Sequence, residues 1–156
     1  MKKLCIIPCG RKKIWDIDPT IEATKAHKAY VGTFHSYCQA YARLFFDDNW
    51  VVLSAKHGFL LKDDIVPGSY DVSFSMKNHP EVITNDQLRK QIIEKNLNDY
   101  DHYVVLAGKK YRRIVEGLFP RGDISYPLAQ YKGLGYMLRA LRLAIDEKKE
   151  LVDSKC

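Results

Sequence analysis

No stretch of this chain is apolar for long enough to cross a bilayer, which takes roughly 20 residues. The opening MKKLCIIPCGRKK has only about five apolar residues in a row, too few for the core of a secretion signal. Cysteine is scarce, at four residues (Cys5, Cys9, Cys38 and Cys156) with no Cys-x-x-Cys pair and no Cys/His cluster. Structural zinc is therefore not expected, and the thiols read as unpaired in a reducing cytoplasm. Both the P-loop pattern Gly-x-x-x-x-Gly-Lys-Ser/Thr and the dinucleotide pattern Gly-x-Gly-x-x-Gly are missing. There is no internal repeat, no low-complexity stretch and no long run of one charge.

What remains is an ordinary globular composition: 156 residues, 46% hydrophobic and 28% charged, enough for one domain with a proper core. Twenty-five Lys and Arg against 19 Asp and Glu leave a net charge of +6, a bias toward nucleic acid or phosphorylated ligands. Four short apolar runs read as buried strands: Leu4–Pro8, Trp50–Ser54, Tyr103–Ala107 and Ile124–Leu128. Between them lie helical patterns. His27 to Phe46 places Tyr30, Phe34, Tyr37, Cys38, Tyr41 and Phe45 at steps of three and four, a face that packs on the sheet or offers a platform for bases. Thr84-Asn85-Asp86-Gln87 reads as a capping box, with Ile83 and Leu88 as its staple. Tyr111 to Leu118 is a short helix stopped by Pro120, and Leu134 to about Glu150 is the last helix, with residues from about 147 onward frayed. Phe59 to Ile83 shows no sustained periodicity and reads as a lid-like segment. The expected fold is a single three-layer α/β domain over residues 1–156, with a mostly parallel sheet of about four strands flanked by helices.

Each expected strand runs into a loop that carries lysine. These are Cys9-Gly10-Arg11-Lys12-Lys13, Ala55-Lys56-His57-Gly58, Gly108-Lys109-Lys110-Tyr111 and Lys132-Gly133-Leu134-Gly135. In a parallel sheet all four emerge at the carboxyl edge, where open α/β folds bind ligands. Cations and glycine-rich backbone there describe a site for an anion, most simply phosphate. Lys56 can hold a phosphate or stabilise developing negative charge, and His57 can serve as general acid or base. The bland alternative is a solvated Lys56 and a His57 that hydrogen-bonds the turn. Cys9 is either a nucleophile favoured by neighbouring cations or a small structural residue. Arg11, Lys12, Lys109 and Lys132 are the expected phosphate ligands, with Gly10 and Gly133 allowing close backbone approach. In the lid, Asp71 beside Tyr70 can activate water, or can cap a turn. Asp63 and Asp64 can hold Mg²⁺ with a substrate phosphate, but no metal or other cofactor is required by the pattern.

The block Trp50-Val51-Val52-Leu53-Ser54-Ala55-Lys56-His57-Gly58-Phe59-Leu60 resembles a family of small bacterial and phage domains of unknown function, marked by a strand ending in Leu-Ser-Ala-Lys-His-Gly. The resemblance extends to Cys9–Lys13, Tyr30-Val31-Gly32-Thr33-Phe34, Tyr70-Asp71, and Pro127-Leu128 with Gly133 and Gly135. Lys62 stands where that family commonly has proline, and the segment around Ser75–His79 is longer. The layout is more distantly similar to YaaA-type peroxide-stress proteins and to the uracil-DNA-glycosylase-like domain of archaeal tRNA base-modifying enzymes. Those likenesses imply a nucleobase, nucleotide or nucleic-acid setting and N-glycosidic chemistry.

The expectation is an enzyme that cleaves or exchanges an N-glycosidic bond in a nucleotide, nucleoside or nucleic-acid base. His57 and Asp71 would be catalytic, and Tyr30 and Tyr70 would stack on the base. The alternatives are a DNA- or RNA-binding domain without catalysis, motivated by the charge and the outward Arg139 and Arg142, and a nucleotide-sensing module.

Overall fold

The computed structural model describes residues 2–76 and 78–152. In chain order the elements are β1 (Lys3–Pro8), α1 (Ile14–Ile17), β2 (Thr24–Lys25), α2 (Ala26–Ala29), α3 (Thr33–Phe46), β3 (Trp50–Ser54), β4 (Gly58–Leu61), β5 (Ile65–Val66), α4 (Asn85–Glu94), β6 (His102–Val105), α5 (Lys109–Val115), β7 (Asp123–Ser125) and α6 (Leu134–Glu147).

Five strands form one sheet in the order β4-β3-β1-β6-β7, parallel except for the β3–β4 pair. Because side chains alternate along a strand, each central strand feeds two layers at once. Cys5, Ile7, Val52, Val104 and Leu106 face one side, against Cys38, Tyr41 and Ala42 of α3 and Leu141 and Ala144 of α6. Leu4, Ile6, Val51, Leu53, Tyr103 and Val105 face the other, against Leu88 and Ile92 of α4 and Val115 after Tyr111 and Ile114 of α5. That double burial explains why these strands are continuous apolar runs, and it makes the domain three-layered as expected. β2 and β5 make a separate two-stranded ribbon.

Three expectations about helices and strands need correcting. The helix expected over 27–46 is two helices, α2 and α3, separated at Tyr30-Val31-Gly32. Tyr30 leaves the helical path to bridge Lys13, so it is not part of the aromatic stripe. The remaining stripe packs on the sheet, the first of its two expected roles: Cys38 and Tyr41 are buried, with Phe34, Tyr37 and Phe45 packed against the same core. Phe59 does not begin an irregular lid. β4 folds back on β3 as a hairpin, pairing Leu53 with Phe59 and Ser54 with Gly58, and the irregular segment starts only after β5. The last strand spans only Asp123–Ser125, because Tyr126-Pro127-Leu128 turns away: Ala129 and Tyr131 N–H groups donate back to the Tyr126 and Leu128 carbonyls.

Other local readings hold for stated reasons. Thr84 Oγ1 accepts the Gln87 N–H while the Gln87 side chain accepts the Thr84 N–H, the reciprocal pair that defines a capping box. Arg139, Arg142 and Lys149 are exposed. The tail expected to fray from about 147 differs: α6 ends at Glu147, but the Leu151 N–H donates to Tyr41 Oη at 2.9 Å, tying the chain back to α3. The end of the expected frayed tail, 153–156 with Cys156, lies outside the described residues. Among the described residues no helix is long and apolar enough to cross a membrane.

Candidate functional site

The strand order contains one reversal. From β1 the chain moves outward to β3 and β4, then crosses back to add β6 and β7 on the opposite side of β1. Crevices at such reversals, outside the carboxyl ends of the strands, are where open α/β sheets take ligands. Here the crevice lies between the turn after β1 and the turn after β6. It holds a cavity of about 450 Å³, within the usual range for small-molecule sites.

Three elements supply the walls. The β1 turn contributes Cys9, Arg11 and Lys13, the end of β3 contributes Ala55, and α5 contributes Lys110 and Tyr111. Asp71 through Met76 form the remaining wall. In that segment Val72 is buried, Phe74 and Met76 are half-buried, and Ser73 and Ser75 are exposed, an alternation visible in the sequence as apolar-polar-apolar. The Phe74 and Tyr111 rings meet edge to face at 5.7 Å across the cavity wall. A second cavity, of about 430 Å³, shares Cys9, Lys110 and Tyr111 and runs toward Leu134 and Met137 of α6. A smaller one shares Arg11 and Asp71.

The β1 turn is held by packing underneath it. His35 on α3 is buried, and its Nδ1 lies 2.8 Å from the Pro8 carbonyl. A carbonyl only accepts, so Nδ1 carries the proton and Nε2 accepts from Gln39 Nε2 at 3.1 Å. Burial lowers the His35 pKa to about 4, so the ring is neutral at pH 7. Along Arg11-Lys12-Lys13 the exposure changes abruptly at the last residue. Arg11 and Lys12 are exposed, whereas Lys13 is 4% exposed, because its backbone bridges Tyr30 and its N–H donates to Asp16 Oδ2 at 2.8 Å. The Lys13 Nζ donates to the Arg11 carbonyl at 3.1 Å and lies 4.3 Å from the centroid of the Tyr70 ring. Cys9 is partly exposed in the cavity, while Cys5 and Cys38 are buried.

Behind Cys9 is a small hydroxyl cluster. Ser54 Oγ accepts the N–H groups of Lys56 (3.2 Å) and His57 (3.0 Å) and pairs with Tyr70 Oη at 2.7 Å. Tyr70 Oη also pairs with Tyr30 Oη. Burial raises the pKa of both phenols, so both stay protonated.

The site residues expected from sequence therefore divide. Cys9, Arg11 and Asp71 come together in the cavity wall. Tyr30 and Tyr70 are buried and bonded to each other, so their faces are not available for stacking, and Tyr70 lies between Lys13 and His57. His57 does not line the cavity; its ring and that of Tyr70 are perpendicular with centroids 5.0 Å apart, and burial followed by the Lys56 charge lowers its pKa. Lys56 reaches Glu81 at 3.5 Å. Gly10 backs onto His35, and Lys12, Lys109, Lys132 and Gly133 are on the surface near the edge but outside this cavity wall. Sequence reasoning named Lys13, Lys110 and Tyr111 only as members of basic loops, without singling them out as site residues, and overlooked Phe74 and His35. Only Phe74 had a clear signal, the alternation from Val72 to Met76. Among the described residues no group of three or more His, Cys, Asp or Glu is placed to hold a metal.

The Ser54–Gly58 turn owes much of its sequence to packing. Gly58 sits at φ +73°, and a β-carbon there would overlap the Gln91 side chain and the Ile83 methyl. Gln91 clamps the turn from α4, accepting the Phe59 N–H and donating to the His57 carbonyl, both at 2.8 Å.

Residues 4–142 match a family of unknown function, DUF6884, and the chain belongs to that family. It is 53% identical over 152 residues to the uncharacterized protein YfjM of Bacillus subtilis (strain 168), covering 97% of this chain and all of that protein.

Proposed function

We propose that this DUF6884 chain is an enzyme acting on a nucleotide, a nucleoside or a nucleic-acid base, and that it cleaves or exchanges an N-glycosidic bond in the β1–β6 crevice. One observation carries this reading: a single cavity joins a carboxylate, Asp71, to the cations Arg11 and Lys110 and to the aromatic pair Phe74 and Tyr111. Arg11 and Lys110 suit a phosphate, because a guanidinium and an ammonium on separate walls can grip it from two sides. Phe74 and Tyr111 take over the base-stacking role first given to Tyr30 and Tyr70. Asp71 would orient water toward the anomeric carbon and accept its proton, the task of a carboxylate base at a glycosidic centre. His57, behind Tyr70, acts only through that ring. The distant sequence likeness to uracil-DNA-glycosylase-like domains points to the same bond.

The test is a thermal-shift panel of nucleosides, mononucleotides and short oligonucleotides, followed by an assay for released base. Ligand at 100 times its dissociation constant should add about 2.7 kcal/mol of stability. Asp71→Asn should keep binding and lose turnover, while Arg11→Met should weaken mononucleotides more than nucleosides. No shift with any member of the panel, or full turnover in Asp71→Asn, would sink the reading.

A second reading has its own support. Lys109 and Lys132 are exposed beyond the cavity, after two neighbouring parallel strands, as a longer polyanion would need. A nucleic-acid-binding domain would shift only with oligonucleotides, and salt would erase the effect in proportion to the phosphates contacted.

A further inference from the structure

Lys13 has 4% of its surface exposed, yet it takes part in none of the ion pairs among the described residues. Two half-buried lysines of the same chain are treated differently: Lys95 has the Asp64 carboxylate at 2.7 Å, and Lys62 has Asp48. The acid nearest to Lys13 in sequence, Asp16, is taken by the Lys13 backbone N–H at 2.8 Å. The Lys13 ammonium donates to the Arg11 carbonyl at 3.1 Å, and the Tyr70 ring covers another side, 4.3 Å from Nζ to its centroid. No carboxylate among the described residues completes the set. An ammonium this buried is costly unless an anion stands beside it.

The chain path, rather than an attraction of its charge, brings Lys13 to this place. Its backbone bridges Tyr30, the Lys12 carbonyl accepts the Val31 N–H at 3.1 Å, and the Lys13 carbonyl accepts the Asp16 N–H at 2.9 Å. Lys13 thereby lines the cavity between β1 and β6. The charged residues of that lining are Arg11, Lys13, Lys110 and Asp71, and none of the four joins an ion pair among the described residues. Three cations against one carboxylate leave a surplus of two positive charges around about 450 Å³. Ser73 and Ser75 add hydroxyls to the lining, with their oxygens 2.7 Å apart.

We propose that Lys13, together with Arg11 and Lys110, seats a phosphate monoester, the phosphate of a mononucleotide or of a phosphorylated strand end. A monoester carries about 1.5 to 2 negative charges at pH 7 and offers three strong acceptor oxygens, which matches both the surplus and the spread of donors. A phosphodiester inside a strand carries only a single charge, and a nucleoside carries none. A phosphate that reaches Lys13 leaves water, and charge-assisted hydrogen bonds are stronger there than at the surface. The inference deepens the glycosidic reading by naming the substrate class, and it rests on that reading only for the reaction. Lys13 binds and takes no part in breaking the bond.

The experiment is calorimetric titration of the folded full chain with ribose 5-phosphate, ribose and dimethyl phosphate at fixed salt. Ribose 5-phosphate should bind, ribose should not, and dimethyl phosphate should bind about tenfold or more weakly. Lys13→Met keeps the length of the side chain and removes its charge. It should weaken ribose 5-phosphate by about 30-fold or more. Its urea midpoint without ligand should equal or exceed that of the unaltered chain, because an unpaired buried charge is gone. A lysine that served only the fold would do the reverse, so a lowered midpoint with affinity retained overturns the proposal. So does a Lys13→Met chain that fails to fold. In the unaltered chain, no binding of ribose 5-phosphate, or equal affinity for dimethyl phosphate, overturns it without any variant.

Oligonucleotides with and without a 5′-phosphate separate the two sources. Binding that needs the 5′-phosphate supports a strand end, and binding of the mononucleotide alone supports the free nucleotide. Equal binding of both oligonucleotides, erased by salt, overturns the seat in favour of a domain that grips the strand backbone. If ribose 5-phosphate binds as stated but no base is released from any mononucleotide or nucleoside, the seat stands and the glycosidic reading falls. If nucleosides release base as fast as mononucleotides and Lys13→Met changes neither rate, the glycosidic reading stands and the seat is overturned.

Discussion

The turns that follow β1 and β3 both carry lysine, both touch Tyr70, and both leave the same edge of the sheet, but they spend their polar groups differently. In the β3 turn almost everything is turned inward. Ser54 Oγ satisfies two backbone N–H groups, Gln91 clamps both sides of Gly58, and Lys56 has Glu81 within 3.5 Å. In the β1 turn the backbone is held from beneath by His35, so the side chains of Cys9, Arg11 and Lys13 are left facing a cavity. The more recognisable motif is thus the more structural one. A pattern such as Leu-Ser-Ala-Lys-His-Gly reflects how tightly a tight hairpin constrains its residues, whereas an open site asks for a few groups that any basic loop contains.

The largest effect should come from Gly58→Ala. Forcing a β-carbon into positive φ costs about 1–2 kcal/mol, and displacing Gln91 leaves two backbone groups without partners, for a total of about 4 kcal/mol. Urea unfolding would measure it; a loss under about 1 kcal/mol would mean the turn tolerates the clash and the contrast with the β1 turn is overdrawn.

Acid should act chiefly on the other turn. The folded His35 pKa of about 4 lies below its unfolded value near 6.5. The unfolded state therefore binds the extra proton first as pH falls. Stability held above about pH 6.5 is lost as pH drops toward 4, by on the order of 3 kcal/mol. His57, also lowered but only half-buried, contributes in the same direction and less. Unfolding curves between those pH values should keep most of their slope in His57→Ala; a slope that vanished there would reassign the effect to the β3 turn.

Ser54→Ala sharpens the comparison because Ser54 belongs to the β3 turn yet feeds the cluster behind Cys9. It removes one acceptor for two N–H groups and the donor to Tyr70, which should cost about 2 kcal/mol. The smallest effect is expected for Lys56→Met. Its pair with Glu81 is solvent-exposed, so stability should change by about 0–1 kcal/mol, and nucleotide-induced thermal shifts should be retained. Loss of those shifts would return Lys56 to the site.

Much of the fold was readable because strands buried on both faces have to be apolar throughout. Leu4–Pro8, Trp50–Ser54 and most of Tyr103–Ala107 announce themselves, as does the Thr84–Gln87 capping box, which is set by neighbours three residues apart. β4 was missed because Phe59-Leu60-Leu61 directly follows a glycine turn that also reads as a loop into a helix, and only pairing with β3 tells the two apart. The helix over 27–46 was overextended because Tyr30 fits the 3.6 period by chance; its bridge to Lys13 crosses the chain and leaves no local pattern.

For the site, the sequence by itself determined the edge, the charge and the loops, since parallel strands must deliver their successive turns to one side. Cys9 and Arg11 followed from that alone, and Asp71 from its place in the lid-like segment beside Tyr70. The tertiary structure decided which of the many cations face inward. Lys12 and Lys13 are chemically alike and adjacent, and one backbone bridge to Tyr30 points the first to water and buries the second beside Tyr70. Burial is a property of the packed neighbours rather than of the residue, so two adjacent lysines alike in sequence end in different surroundings.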